Sequence, residues 1–219
     1  MEKTVILKAL VGSRAHGLHT EDSDYDYRGV YVVPTKDILS LGFKYKGSSW
    51  IEGDIDDTSY EIGHFLQLCT KANPAVFEIL MSDTYTVSTK YIIELKQLFP
   101  YMYDPKDAFN AFAGYSKNQQ KKLLEDKEGR RLKFGVAYVR TAMMLVDLLE
   151  KGMFSLRIDS EERKRKLQGI KEDIYSDGEI LDLAEHYISY ARSILPEVKN
   201  QQDLSIINDF LLSVRKDFW

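Results

Sequence analysis

The chain has 219 residues, 44% hydrophobic and 29% charged, with a net charge of −4, which is the composition of an ordinary folded protein able to bury a core as one domain or two small ones. No apolar run approaches the length that spans a membrane, and MEKTVILKAL at the N-terminus carries no signal-peptide pattern. Cys69 is the single cysteine, so an intrachain disulfide and a thiol-rich metal site are excluded, and a reducing cytoplasm is the expected compartment.

Val5–Val11 is an apolar run that stops at Gly12, as a buried strand entering a turn would. Tyr25–Val33 is rich in aromatic and β-branched residues and ends at Pro34, which predicts a second strand. A short helix is expected near Lys36–Leu41, strands at Phe43–Tyr45 and Asp56–Tyr60, and a helix over Ile62–Cys69. Asn73-Pro74 marks a break before a further helix at Ala75–Leu80. From Asp104-Pro105 onward apolar residues recur at helical spacing, in Ala108–Leu124, Leu132–Lys151, Glu161–Lys171, Glu179–Leu195 and Leu204–Phe218. The expected organisation is an α/β (α+β) domain over residues 1–104 and a helical domain over 105–219. Charge is unevenly spread: residues 115–171 hold 15 Lys/Arg against 8 Asp/Glu, a net of +7, whereas 1–114 carry −5 and 172–219 carry −6. A basic middle segment is the footprint of a polyanion partner, or else a solvated helix face.

The chemistry concentrates in Gly12-Ser13-Arg14-Ala15-His16-Gly17 and Asp22-Ser23-Asp24-Tyr25-Asp26. Asp24 and Asp26, two apart at the start of a strand, fall on one face and repel unless a cation lies between them. Oxygen ligands at that spacing suit Mg²⁺ or Mn²⁺. A strand that ends in Gly-Ser and opens a helix exposes backbone N–H groups to a phosphate, with the Ser13 hydroxyl, Arg14 and His16 as further donors. A two-ion site needs a third carboxylate, for which the cluster Asp54, Asp56, Asp57 and Glu61 supplies candidates, with Asp56 favoured and Asp57 and Glu61 its rivals. Lys133 and Arg140, seven apart, share a helix face and form either a basic prong or a pair of surface charges.

Leu10–Pro34 (LVGSRAHGLHTEDSDYDYRGVYVVP) resembles the signature of polymerase-beta-like nucleotidyltransferases. More narrowly it is similar to the RNA repair pathway polymerase-beta family, in which the glycine-serine turn is followed by Arg-Ala-x-Gly and Asp-Ser-Asp-x-Asp. Tyr60, Phe65-Leu66, Asn73-Pro74 and Glu78-Ile79-Leu80 follow the family's pattern, and Lys133, Arg140, Gly152 and Arg157 resemble its C-terminal helices. The resemblance implies a small mixed β-sheet flanked by helices, two divalent metal ions, and transfer of a nucleoside monophosphate from a nucleoside triphosphate. Gly12 and Ser13 would bind phosphate, and Asp24, Asp26 and Asp56 metal. Gly63-His64 and Ala137 depart from residues that relatives often carry there. An RNA 3′ end is the expected acceptor, ahead of a protein hydroxyl, a small-molecule hydroxyl, or a nucleotide- or RNA-binding module without turnover.

Overall fold

The computed structural model describes residues 2–43, 48–52, 55–126 and 129–219, and of 48–52, 55 and 56 the backbone alone. The expected strand at Phe43–Tyr45 falls largely outside these residues, as does Asp54.

The chain forms two compact units: residues 1–71, 75–103 and 201–219 make the first, and 72–74 with 104–200 the second. The first is built on a five-stranded mixed sheet, as the α/β reading requires. Its strands are β1 (Thr4–Val11), β2 (Tyr25–Val32), β3 (Ser48–Glu52), β4 (Ile55–Glu61) and β5 (Tyr85–Ser88), in the order β3-β4-β2-β1-β5. Strand β1 runs antiparallel to β2 and β5, β2 is parallel to β4, and β3 is antiparallel to β4. Ile6, Leu7, Ala9 and Val11 of β1 are buried, so the apolar run that stops at Gly12 is the buried strand it predicts. In β2 burial grows along the strand: Tyr25 is exposed, while Gly29 to Val32 are buried. The acid-bearing end of that strand is therefore its open end.

Between the strands lie α1 (Gly12–Ala15), α2 (Thr35–Ile38), α3 (Ile62–Thr70) and α4 (Pro74–Met81), and α5 (Lys90–Leu98) follows β5. Phe77, Phe99 and Tyr103 form an aromatic cluster with ring centroids 4.8–5.5 Å apart, and burial pushes the Tyr103 hydroxyl up to about 12.

The helical unit holds α6 (Pro105–Glu125), α7 (Arg131–Lys151), α8 (Glu161–Lys171) and α9 (Asp177–Ile194). Its starts are capped as the sequence dictates: Asp104 accepts from the backbone N–H of Lys106 and Asp107 ahead of Pro105, and Ser176 and Glu179 form a capping box. Helix α7 is buried almost all round from Tyr138 to Leu149 and ends at Gly152 in the left-handed region, where glycine fits without strain. Asn200 Nδ2 donates to Asp104 Oδ2 at 2.6 Å, joining the two ends of this unit.

The last helix, α10 (Leu204–Asp217), departs from the expected 105–219 domain because its packing belongs to the first unit. Ile207, Phe210 and Val214 form its buried stripe, and Phe210 and Phe218 pack edgewise or tilted on Tyr91. Thr35 donates its N–H to Phe218 O and its hydroxyl to Arg215 O, Arg215 Nη1 lies 2.7 Å from Glu61 Oε1, and Asp203 N–H donates to Tyr101 O. Among the described residues no helix is long and apolar enough to cross a membrane.

Candidate active site

Strand β1 delivers the chain to Gly12 at φ +70°, a left-handed conformation that favours glycine. Val11 is the register partner of Asp26 on β2, which brings the turn against that carboxylate. A Cβ added at Gly12 would stand 2.0 Å from Asp26 Oδ2, 2.8 Å from Cγ and 3.0 Å from Cβ. Glycine is needed here twice over, for the backbone conformation and for the close approach.

The turn that follows is shorter than the helix expected. Helix α1 is one turn of four residues, closed by His16 N–H donating to Gly12 O at 3.1 Å and Leu18 N–H to Ser13 O at 3.0 Å. So short a segment carries only part of a helix dipole, so any anion-binding potential rests mainly on the local N–H groups and the Ser13 hydroxyl.

Arg14 and His16, both expected as donors to substrate, are engaged elsewhere. Arg14 Nε and Nη2 donate to Ser23 O at 3.0 and 2.7 Å, Nη2 also reaches Glu21 O at 3.3 Å, and the guanidinium lies 3.9 Å over the Tyr25 ring. It braces the loop that leads into Asp24. His16 is 3% exposed, with Nε2 3.8 Å from Glu78 Oε1, so it faces the interior. Nearness to the turn in sequence did not fix where either side chain points.

Asp24, just ahead of β2, is exposed and Asp26 half-buried, and alternation puts positions 26 and 28 on one face of β2. The parallel register pairs Asp26 with Asp56 and Tyr27 with Asp57, so position 56 is the neighbour of the acid face and position 57 belongs to the other. Asp57 ion-pairs with Lys8 at 2.5 Å. Glu61, 4% exposed, accepts from Gly63 N–H at 2.7 Å as the cap of α3 and pairs with Arg215. Both rivals for the third acid thus hold cationic partners. Among the described residues no three His, Cys, Asp or Glu form a group able to hold a metal ion, and the Asp56 side chain lies outside those residues.

One residue was missed in the sequence. Arg28 Nη1 donates to Ala75 O at 2.9 Å and to Glu78 Oε2 at 3.1 Å, which ties β2 to α4. The alternation that pairs Asp24 with Asp26 reaches Arg28 at the next step and would have singled it out. Cys69 is fully buried, and burial pushes its thiol well above the ordinary range, so it is no nucleophile.

Lys133 and Arg140 belong to the helical unit, where they differ in burial. Lys133 is exposed, whereas Arg140 is 9% exposed with Nη1 3.1 Å from Met144 Sδ. Part of the basic segment is neutralised within its own unit: Arg131 pairs with Asp173 and Asp177, Lys151 and Arg163 with Asp147, and Lys166 with Glu162.

The model of the RNA repair pathway DNA polymerase beta family matches residues 1–172. An uncharacterised 38.9 kDa protein of Enterobacteria phage T4 is 24% identical over 184 residues, which cover 77% of this chain and 52% of the phage protein. YcgL of Bacillus subtilis is 28% identical over 64% of this chain and 54% of its own length, and MJ0002 of Methanocaldococcus jannaschii 29% identical over 78% and 70%. The chain thus spans about half the length of the phage and Bacillus relatives. A solved nucleotidyltransferase-like protein from Exiguobacterium sibiricum is 9% identical with a TM-score of 0.29, over 99% of this chain and 74% of that one, a likeness too loose to bear on the site.

Proposed function

Because the chain belongs to the RNA repair pathway DNA polymerase beta family, a group of polymerase-beta-like nucleotidyltransferases, we propose that it moves a nucleoside monophosphate from a nucleoside triphosphate to a hydroxyl, with an RNA 3′ end as acceptor. The observation that carries this reading is the contact of the Gly12 turn with the Asp26 carboxylate, beside which the register sets position 56. An anion-binding turn and a carboxylate pair serve one substrate only if they touch, and here nothing larger than glycine fits between them.

The donor set offered by Asp24, Asp26 and Asp56 is oxygen only, which fits a hard divalent cation such as Mg²⁺ or Mn²⁺ better than a softer metal. Two such ions, when bound, lower the pKa of the attacking hydroxyl and neutralise charge on the departing pyrophosphate. The chain's own residues do the positioning. Backbone N–H groups of the Gly12-Ser13 turn and the Ser13 hydroxyl hold the triphosphate. Asp24 and Asp26 would hold the cations, whose positive charge would offset that of the carboxylates and of the triphosphate. Arg14 steadies the loop that presents Asp24. The acceptor oxygen forms a bond to the α-phosphorus as the α–β bridging bond breaks in line, and the hydroxyl proton leaves to solvent. No protein nucleophile takes part, so catalysis is positioning and charge neutralisation. The family's description and the exposed Lys133 in the basic segment favour RNA as acceptor.

The test is incorporation of α-³²P label from each of the four nucleoside triphosphates, with Mg²⁺ or Mn²⁺ and with total RNA plus cell lysate as acceptors. Label entering RNA, abolished by EDTA and by Asp24→Ala/Asp26→Ala, is the expected result. Label entering protein moves the acceptor. Absence of label with every donor and both metals, despite nucleotide binding, would make the chain a binding module.

A further inference from the structure

Glu78 is 7% exposed on a helix whose neighbouring positions Val76, Phe77, Ile79 and Leu80 are at most 1% exposed, so a carboxylate is held inside an apolar layer. A buried carboxylate costs stability unless it is paired, and such a pair is often no more stabilising than apolar side chains in both positions. Its two oxygens face different parts of the site. Oε2 lies 3.1 Å from Arg28 Nη1, two residues along the strand from Asp26, and Oε1 lies 3.8 Å from Nε2 of His16, the residue that closes the turn begun by Gly12. The first is a hydrogen-bonded ion pair; the second is too long for a direct hydrogen bond and is a close polar contact. Arg28 is fixed further by Ala75 O at 2.9 Å. The two arms meet again where Gly12 lies on Asp26, which closes a ring: Gly12 against Asp26, strand β2 from Asp26 to Arg28, then Arg28 to Glu78, Glu78 to His16 and His16 back to Gly12.

We propose that Glu78 is a positioning residue which locks the glycine-serine turn to the acid-bearing strand, an inference that rests on the nucleotidyltransferase reading above. With the lock in place, nucleotide on the turn and divalent cation on the acids strengthen each other's binding. Without it, each binds nearly as before and the mutual gain is lost, by linkage between the two ligands.

The experiment measures the Kd of the full chain for MANT-ATP in EDTA and in saturating Mn²⁺, and takes the ratio as the coupling. The wild-type ratio is expected on the order of tenfold or more, falling to within about threefold of unity in Glu78→Gln and Glu78→Asp. Turnover should show kcat reduced by roughly 100-fold with KM for the triphosphate changed far less. A residue that merely supports the fold would lower the melting temperature and leave the ratio intact when binding is read well below the transition; that result overturns the proposal. Wild-type coupling with an unchanged ratio in both variants overturns the positioning role alone, whereas no Mn²⁺-dependent binding and no transfer in the wild type overturns the enzymatic reading and this one with it. If the Glu78 variants do not fold, Arg28→Lys and His16→Gln cut the two arms separately. The ratio must then fall in at least one of them for the proposal to stand.

Discussion

Replacing Gly12 by alanine tests the contact on which the functional reading depends. An ordinary Cβ contact begins near 3.4 Å and the added Cβ would stand 2.0 Å from Asp26 Oδ2, so that oxygen must retreat by about 1.4 Å. Rotation of the carboxylate cannot clear the contact completely, because Asp26 Cβ, set by the strand, is itself only 3.0 Å away. The backbone at φ +70° adds about 1–2 kcal/mol of conformational strain for any L side chain. Together these predict a loss of about 2–4 kcal/mol, which for a chain of this size lowers the melting temperature by roughly 5–15 °C. A carboxylate displaced by about 1 Å should also cost on the order of 100-fold in label transfer. Gly42→Ala is the matched control: its φ of +82° imposes similar strain, but among the described residues no atom lies within 4 Å of the added Cβ. Calorimetry and label transfer on the two variants separate strain from displacement. If Gly12→Ala melts with Gly42→Ala and transfers label at near wild-type rate, the turn and the carboxylate do not act together and the reasoning fails.

Arg215→Met should destabilise by about 3–5 kcal/mol in urea unfolding, since it leaves the Glu61 carboxylate buried without its cation, and adding Glu61→Gln should recover much of that loss; simple additivity would show the pair to be uncoupled. Hydrogen bonds from Lys90 and Tyr91 hold the Asp217 carboxyl below its usual range. Its folded pKa is depressed, so the stabilisation is complete above the ordinary carboxylate pKa of about 4 and fades as pH falls through the lower folded value. Melting curves of wild type and Asp217→Asn should therefore stay a fixed gap apart at neutral pH and converge in acid; a gap that widens in acid has the wrong sign. Arg14→Ala should accelerate amide exchange across residues 20–24 and lower kcat, with melting changed by only a few degrees; unchanged exchange there would remove Arg14 as the loop's brace.

Much of this architecture is written in local pattern. Strands β1 and β2 announce themselves by β-branched and aromatic runs cut off by Gly12 and Pro34, and the helices from α6 onward by apolar residues at helical spacing, whereas the capping residues Asp104 and Ser176 emerge only with the structure. Strand β5 is only four residues long with no residue fully buried, too short for alternation to rise above chance. The turn and the pair Asp24/Asp26 are legible because one stretch of fifteen residues contains them all. Arg14 and His16 are not, since adjacency to a turn says nothing about whether a side chain faces solvent, a neighbouring carbonyl or the core. The third acid depends on strand register, a long-range property: a slip of one residue would exchange Asp56 for Asp57. The destination of α10 is hidden for a related reason. Ile207, Phe210 and Val214 make an amphipathic stripe that reads the same whichever core receives it.

The hydrogen bond from Asn200 to Asp104 has a bearing on how the chain comes together during synthesis. The sheet-bearing unit is discontinuous, since residues 201–219 complete what residues 1–103 begin, with nearly a hundred residues inserted between. Closing a loop of that length in an open chain costs about 4 kcal/mol of entropy. The insert is helical, rich in short-range contacts, and of the kind that folds quickly by itself. Once folded, it brings its own two ends within a single hydrogen bond of each other, so that the final helix is released beside the segment it must join. Completion of the sheet-bearing unit must then wait for residues 201–219, although most of its sequence leaves the ribosome first.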